Sequence, residues 1–170
     1  EKDANDFQKD IREINTGIMC FRKDRSFEVL RYVRLNKRKK EYYLTDVIGI
    51  LYKKGYLIDG LVIPDINEAL GINSRSDLAK ANSIMQLRIN EELMASGVTI
   101  IDPASTFISY GTKIGKDSII YAFTVIERGV TIGKRCSLGP FVHLRQDTHL
   151  QDDVEVGNFL EIVRSRLSSK

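Results

Sequence analysis

Residues 108–162 read, in groups of six, ISYGTK IGKDSI IYAFTV IERGVT IGKRCS LGPFVH LRQDTH LQDDVE VGNFLE I. Every group opens on an aliphatic residue: Ile108, Ile114, Ile120, Ile126, Ile132, Leu138, Leu144, Leu150, Val156 and Ile162. About a quarter of the residues of an ordinary chain are Ile, Leu, Val or Met, so ten successive hits by chance would be on the order of one in a million. A second column agrees. Four residues after each opener stand Thr112, Ser118, Thr124, Val130, Cys136, Val142, Thr148, Val154 and Leu160, all but the last small or β-branched.

A strand advances about 3.3 Å per residue, so six residues make one short flat side and a corner. Three sides return the chain to its starting azimuth after 18 residues, one coil higher. Each opener then points into a narrow prism and stacks on the residue 18 positions along. Ile114, Ile132 and Leu150 form one such column, and Ile120, Leu138 and Val156 another. No coil buries its apolar face alone, so the solenoid must stand as a stack. Gly115, Gly133, Gly139 and Gly157, one place after an opener, are read as corner residues. An antiparallel sandwich would show alternation of period two and turns every 8–12 residues, and the unbroken six-residue step opposes it.

Working towards the N-terminus, Val98 to Asp102 is read as the entry to the solenoid, with Pro103 marking the change. Ser74 to Ser96 is the longest expected helix. Ser74 and Asp77 suit a capping box, Gly97 suits the C′ position, and Leu78, Ala81, Met85, Ile89 and Leu93 make one stripe. Further upstream, strands are expected over residues 11–21 and 56–63. A short helix is expected over 26–34 with Phe27, Leu30 and Val33 on one face. A second is expected over 43–54 with Val47, Ile50 and Leu51 inward and Gly55 closing it. Strand alternating with helix predicts an α/β layer. The expected organisation is an α/β part over 1–75, a linker helix over 76–97 and a β-helix over 98–170.

The totals exclude several classes. The 170 residues are 42% hydrophobic with a formal net charge of +3. No apolar run reaches the roughly 18 residues of a membrane span, and no leader pattern is visible. Cys20 and Cys136 do not make a disulfide framework, so a reducing, cytoplasmic setting is expected. Basic charge concentrates in Arg34, Lys37, Arg38, Lys39 and Lys40. A solvated loop is the economical reading of that run, and no nucleic-acid partner is expected. The chain opens on Glu1 rather than Met, from which an upstream segment is expected.

The ordered motifs EINTGI (Glu13–Ile18), EYYLTD (Glu41–Asp46), GINSR (Gly71–Arg75), a long helix, GVTIIDP (Gly97–Pro103), hexapeptides, LGPFVHLR (Leu138–Arg145) and VGNFLEI (Val156–Ile162) cover essentially the whole chain. In this order they resemble the bacterial bifunctional N-acetylglucosamine-1-phosphate uridylyltransferase and glucosamine-1-phosphate acetyltransferase family. The resemblance implies the end of a Rossmann-like nucleotidyltransferase domain, then a left-handed parallel β-helix that forms a homotrimer. It implies Mg²⁺ as cofactor, acetyl-CoA as co-substrate, UTP and sugar-1-phosphates as partners, and UDP-N-acetylglucosamine as product for cell-wall synthesis. A single-activity nucleotidyltransferase whose β-helix only oligomerises is the alternative.

The resemblance assigns residues one by one. Asn73 matches the family's metal-binding Asn, and a carboxamide oxygen suits Mg²⁺ beside a carboxylate. Asn15 matches a sugar-binding Asn, with Glu41, Tyr42 and Thr45 flanking the sugar. Arg145 matches an Arg that holds the sugar phosphate, for which a guanidinium fork is suited. A substrate-binding Lys expected after the GNF-x-E element is replaced by Val163, with Arg164 next to it as a candidate substitute. No catalytic residue is assigned to this stretch: the acetyl-transfer base and the acetyl-CoA residues would follow Lys170, and the piece alone is expected to be inactive. His143 and His149 are read as coil-surface residues. The β-helix is expected to be shorter before LGPF than in many relatives.

Overall fold

The computed structural model describes residues 5–11 and 13–169. Glu1, on which the expected upstream segment rests, and Arg12, within the expected first strand, lie outside the described residues. The chain divides into two compact units, Glu1–Ala69 and Leu70–Lys170.

In the second unit the period of six becomes architecture. Two- and three-residue strands run β3 (Thr99–Ile100), β4 (Phe107–Ile108), β5 (Lys113–Ile114), β6 (Ile119–Ile120), β7 (Val125–Ile126), β8 (Thr131–Ile132), β9 (Ser137–Leu138), β10 (Val142–Leu144), β11 (His149–Leu150), β12 (Glu155–Val156), β13 (Leu160–Ile162) and β14 (Arg166–Leu167). They form three four-stranded sheets, ordered β12-β9-β6-β3, β13-β10-β7-β4 and β14-β11-β8-β5. Every pairing within these sheets is parallel. This is the left-handed parallel β-helix of hexapeptide repeats, about four coils high. Ile132 pairs with both Ile114 and Leu150, and Leu138 with both Ile120 and Val156, as the columns require. The openers are buried, apart from half-buried Ile114 and Ile162 at the ends of the stack.

The second column fills the corners of the prism. Ser118, Thr124, Val130, Cys136, Val142, Thr148 and Val154 are buried, whereas Leu160 is exposed. Ser118 and Thr148 bond to backbone between coils: Ser118 Oγ donates to the Gly133 carbonyl at 2.9 Å and accepts the Cys136 N–H at 3.1 Å, and Thr148 Oγ1 donates to the Ile162 carbonyl at 3.3 Å. Such bonds offset the cost of burying a hydroxyl. Thr124 Oγ1, also buried, has no hydrogen-bond partner among the described residues.

The corners are not where the glycines pointed. The chain turns three residues after the openers Ile108 to Val156, at Gly111, Asp117, Phe123, Gly129, Arg135, Phe141, Asp147, Asp153 and Phe159, and two residues after Ile162, at Arg164, all with positive φ. Of the four expected corner glycines only Gly139 has positive φ. Gly115 and Gly133 are required instead by close approach between coils. A Cβ on Gly115 would lie 2.5 Å from the Gly133 carbonyl carbon, and one on Gly133 2.5 Å from the Asp152 nitrogen.

The pitch is irregular at both ends. Ile100 pairs with Ile120, twenty residues on, and Leu150 with Leu167, seventeen on, against eighteen in between. The two extra residues lie in the loop after β3. Asn90, fully buried on helix α4 (Arg75–Ala95), donates there to the carbonyls of Pro103 (2.9 Å) and Thr106 (3.1 Å). The Ser74–Asp77 capping box opens α4, and Gly97, with positive φ, follows its C-cap Ser96. Only part of the expected stripe is inward. Ile89 and Leu93, with Met94, pack on the β-helix core, while Leu78 and Met85 are exposed.

The first unit holds α1 (Asp6–Lys9), α2 (Lys23–Leu30), an antiparallel ribbon of β1 (Leu35–Asn36) and β2 (Glu41–Tyr42), α3 (Asp46–Lys53) and a 3₁₀ turn over Ile66–Ala69. It keeps a mixed α/β character, without a parallel sheet among the described residues. Its core is Val29, Val47 and Leu51, with Phe21, Val33, Ile50 and Tyr56 against them. Helix α3 is as expected. On α2 the inward residue is Val29, while Phe27 and Leu30 are exposed, because the helix stops at Leu30 and leaves Val33 beyond it.

Neither expected strand of this unit forms. In 11–21, Asn15 Oδ1 accepts the Gly17 N–H and Thr16 Oγ1 accepts the Ile18 N–H, turns that compete with extended pairing. In 56–63, Leu57 and Leu61 are exposed and Asp59 Oδ1 accepts the Gly60 N–H. A β-branched run becomes a strand only where another strand satisfies its backbone, and none does so here among the described residues. Of the basic run, Arg34 precedes β1, and Lys37 to Lys40 form the exposed turn between β1 and β2, pinned by Asn36 Oδ1, which accepts from the N–H groups of Arg38 and Lys39.

Candidate functional site

The sheet of β7, β10 and β13 carries the polar cluster that contains Arg145. Eighteen residues separate Glu127 from Arg145, which places one above the other just after β7 and β10. In the neighbouring column Val125, His143 and Glu161 stack in register. Backbone bonds lock the rungs: the Glu127 N–H donates to the Leu144 carbonyl (2.9 Å) and the Arg145 N–H to the Ile162 carbonyl (2.8 Å).

The side chains cross-link these columns diagonally. Arg145 Nη1 donates to Glu161 Oε1 at 3.2 Å, and its Nε lies 3.7 Å from Glu127 Oε1. His143 Nε2 lies 3.0 Å from the same Glu127 oxygen, and its Nδ1 3.9 Å from Glu161 Oε1. Glu127 Oε2 accepts the Gln146 N–H at 3.3 Å. That N–H, then the His143 hydrogen bond and the Arg145 charge, hold the Glu127 carboxyl below its ordinary range, against partial desolvation. All four side chains are about half exposed, so solvent weakens the ion pairs and leaves the guanidinium within reach of an anion.

Arg164 stands at the next coil's shortened corner, exposed, with φ 44°, and Val163 above Arg145 is half-buried. No described contact joins Arg164 to Arg145. Asn73 is exposed just before the N-cap of α4, its backbone N–H donating to Asp77 Oδ2 at 3.2 Å. In the first unit, Asn15 is exposed in its turn, Glu41 lies exposed on β2 opposite Asn36, and exposed Thr45 is the N-cap residue of α3. Thr45 borders an open depression also lined by Tyr32, Arg34, Asp46 and Lys53.

Sequence reasoning singled out Arg145 but missed Glu127, His143 and Glu161 as its neighbours. The signal was present: the 18-residue coil that stacks Ile126 under Leu144 also stacks Glu127 under Arg145 and His143 under Glu161. His149 is a coil-surface residue as read, its Nδ1 2.6 Å from Thr131 Oγ1 on the rung below.

The class follows from the fold. Residues 111–146 match the family model "Bacterial transferase hexapeptide (six repeats)", the type of coil described above. The particular likeness is to proteins named "Bifunctional protein GlmU". The chain is 39% identical to that of Geobacillus sp. (strain WCH70) across 96% of its own length and 43% of the relative's. The GlmU of Streptococcus suis is 37% identical over 98% of this chain and 44% of its own. That of Halalkalibacterium halodurans is 36% identical over 99% and 44%. The resemblance read from the motifs is thus borne out: nearly all of this chain is GlmU-like. The chain spans less than half the length of these relatives. The first alignment runs over 197 positions against 170 residues, so the relative carries residues within the matched stretch that this chain lacks. No described helix is long and apolar enough to cross a membrane.

Proposed function

We propose that this chain works in UDP-N-acetylglucosamine synthesis, and that its β-helix holds the sugar phosphate acceptor of an acetyl transfer. In that reaction the amine of glucosamine-1-phosphate attacks the thioester carbonyl of acetyl-CoA. The amide forms, the C–S bond breaks, and coenzyme A leaves as the thiol. Arg145 grips the acceptor's phosphate with a charge-assisted fork, and Arg164 supplies a second positive charge in place of the basic residue that Val163 displaces. The first unit serves uridylyl transfer from UTP to N-acetylglucosamine-1-phosphate, with Asn15, Glu41 and Thr45 around the sugar. The observation that carries this reading is the likeness to bifunctional proteins across 96% of the chain.

The described residues do not by themselves fit a Mg²⁺ site. Mg²⁺ takes near-octahedral oxygen, usually one or two carboxylates with waters and phosphates. Asn73 offers one neutral oxygen, and Asp77 Oδ2 already accepts from the N–H groups of Asn73 and Ser74. Among the described residues no group of three or more His, Cys, Asp or Glu side chains could hold a metal. Asn73 is proposed as one ligand at most, and no step is routed through the ion. A cytoplasmic homotrimer built through the β-helix belongs to the same proposal; the solution mass of the intact protein should be three times that of its chain.

Two assays on the intact protein test the reading: pyrophosphate release from UTP with N-acetylglucosamine-1-phosphate, and thiol release from acetyl-CoA with glucosamine-1-phosphate. Both are expected. Silence in both overturns it. Pyrophosphate without thiol selects the second reading, a nucleotidyltransferase whose β-helix only oligomerises, which half-buried Val163 in a basic residue's place favours.

A further inference from the structure

His143 lies between two carboxylates that also hold Arg145. Ionised carboxylates only accept hydrogen bonds, so the 3.0 Å contact to Glu127 places a hydrogen on Nε2. In the neutral ring Nδ1 then carries a lone pair, and it faces Glu161 Oε1 at 3.9 Å with nothing to donate. A second proton gives Nδ1 a donor and turns the ring into a bridge between both glutamates. Glu127 Oε1 and Glu161 Oε1 are also the oxygens nearest Arg145 Nε and Nη1. The imidazolium and the guanidinium therefore compete for the same two atoms. The charge count moves with them: two carboxylates and one guanidinium sum to −1 with His143 neutral, and to zero with it protonated. The charged groups facing His143 are Glu127 from the rung below, Glu161 from the rung above and Arg145 just past the end of its own strand.

We infer that His143 is a proton-operated positioning residue for an anion at Arg145: protonated, it takes over Glu127 and Glu161 and releases the guanidinium to a phosphate monoester. This rests on the proposed role of Arg145. Phosphate binding and proton uptake at His143 are then linked, each favouring the other. Replacing a net −1 by zero beside a half-exposed site should change affinity roughly three- to tenfold.

Calorimetric titration of the intact protein with glucosamine-1-phosphate tests this. Affinity is measured at pH 5.5 and 8.0, and proton uptake from two buffers of different ionisation heat. The ligand's own ionisation is common to every variant and cancels between them. Wild type should gain affinity at the lower pH relative to His143→Gln, which should bind weakly at both and lose the extra proton uptake. His143→Arg, permanently charged, should bind tightly at both. A merely structural role would make Gln and Arg fail alike. If both variants keep the wild-type pH response and proton uptake, the inference is overturned while the Arg145 reading stands. If Arg145→Ala binds as wild type, the reading beneath it fails.

Discussion

At the residue scale the β-helix is ruled by what sits one coil away. Gly133 shows this best. A methyl group there would meet the backbone of Gln151 and Asp152 at 2.5–2.6 Å, and backbone cannot step aside as a side chain can. Gly133→Ala should destabilise by about 1–3 kcal/mol or more through overpacking. Thermal denaturation of the variant beside wild type checks this. From the sequence Gly133 looks like a corner glycine; what makes it necessary is the coil stacked over it.

Charges obey the same neighbour rule. Arg135 and Asp153, successive corner residues of one edge, meet in a two-pronged pair at 2.7 Å. The Arg135 hydrogen bond, chiefly, holds the Asp153 carboxyl below its ordinary range. A depressed carboxylate contributes stability above its unfolded pKa, about 3.9, and loses it as pH falls through the folded value. Asp153→Asn should therefore lower the melting temperature slightly at pH 7 and flatten its fall below about pH 4. A variant with an unaltered acid limb would contradict this. Arg135 and Asp153 lie eighteen apart in sequence, so the pair could be read once the coil length was known.

At the element scale, sequence patterns worked where an element carries its own signals and failed where a partner decides. Helix α4 has a capping box, and its start was read from Ser74 and Asp77 alone. Its buried face was only half legible, because Leu78 and Met85 continue the stripe beyond the surface that Ile89 and Leu93 cover. The residue that matters most there is polar. Asn90 sits off that stripe, and its role depends on two extra residues in the loop after β3, which no periodicity announces. Asn90→Ala should strand the Pro103 and Thr106 carbonyls in the interior and cost about 2–4 kcal/mol, read by chemical denaturation. Ser74→Ala at the exposed cap should cost about 1 kcal/mol. An equal loss from both would mean that the buried carbonyls find other partners. The strands expected at 11–21 and 56–63 failed for the complementary reason: Ile, Val and Leu content describes a strand's faces, whereas its backbone must be satisfied by a neighbour.

At the scale of the molecule, the recurrence of aliphatics every sixth residue was enough to foretell three sheets, their parallel sense and their register. It could not foretell the twenty- and seventeen-residue coils at the ends, since one long or short corner leaves the hydrophobic pattern almost intact. Leu138, fully buried between Ile120 and Val156, is the centre of the stack, and Leu138→Ala should cost about 2–5 kcal/mol. The loss should appear in the β-helix transition, monitored by far-ultraviolet circular dichroism. The same stacking gathers Glu127, His143, Arg145 and Glu161, which are scattered over 35 residues of chain, onto one face. Of that site only Arg145 was legible, through motif likeness, because an isolated charge in a sequence does not reveal which rung it shares.

The proposal that this face holds a sugar phosphate for acetylation is tested most directly by steady-state acetyl transfer in the intact protein, wild type against Arg145→Ala. The wild type should release coenzyme A with glucosamine-1-phosphate as acceptor. The variant should need on the order of tenfold or more acceptor, the loss expected when a charge-assisted fork to phosphate is removed, with the acetyl-CoA requirement little changed. Equal acceptor dependence in the two proteins, or no coenzyme A release from the wild type, would contradict it.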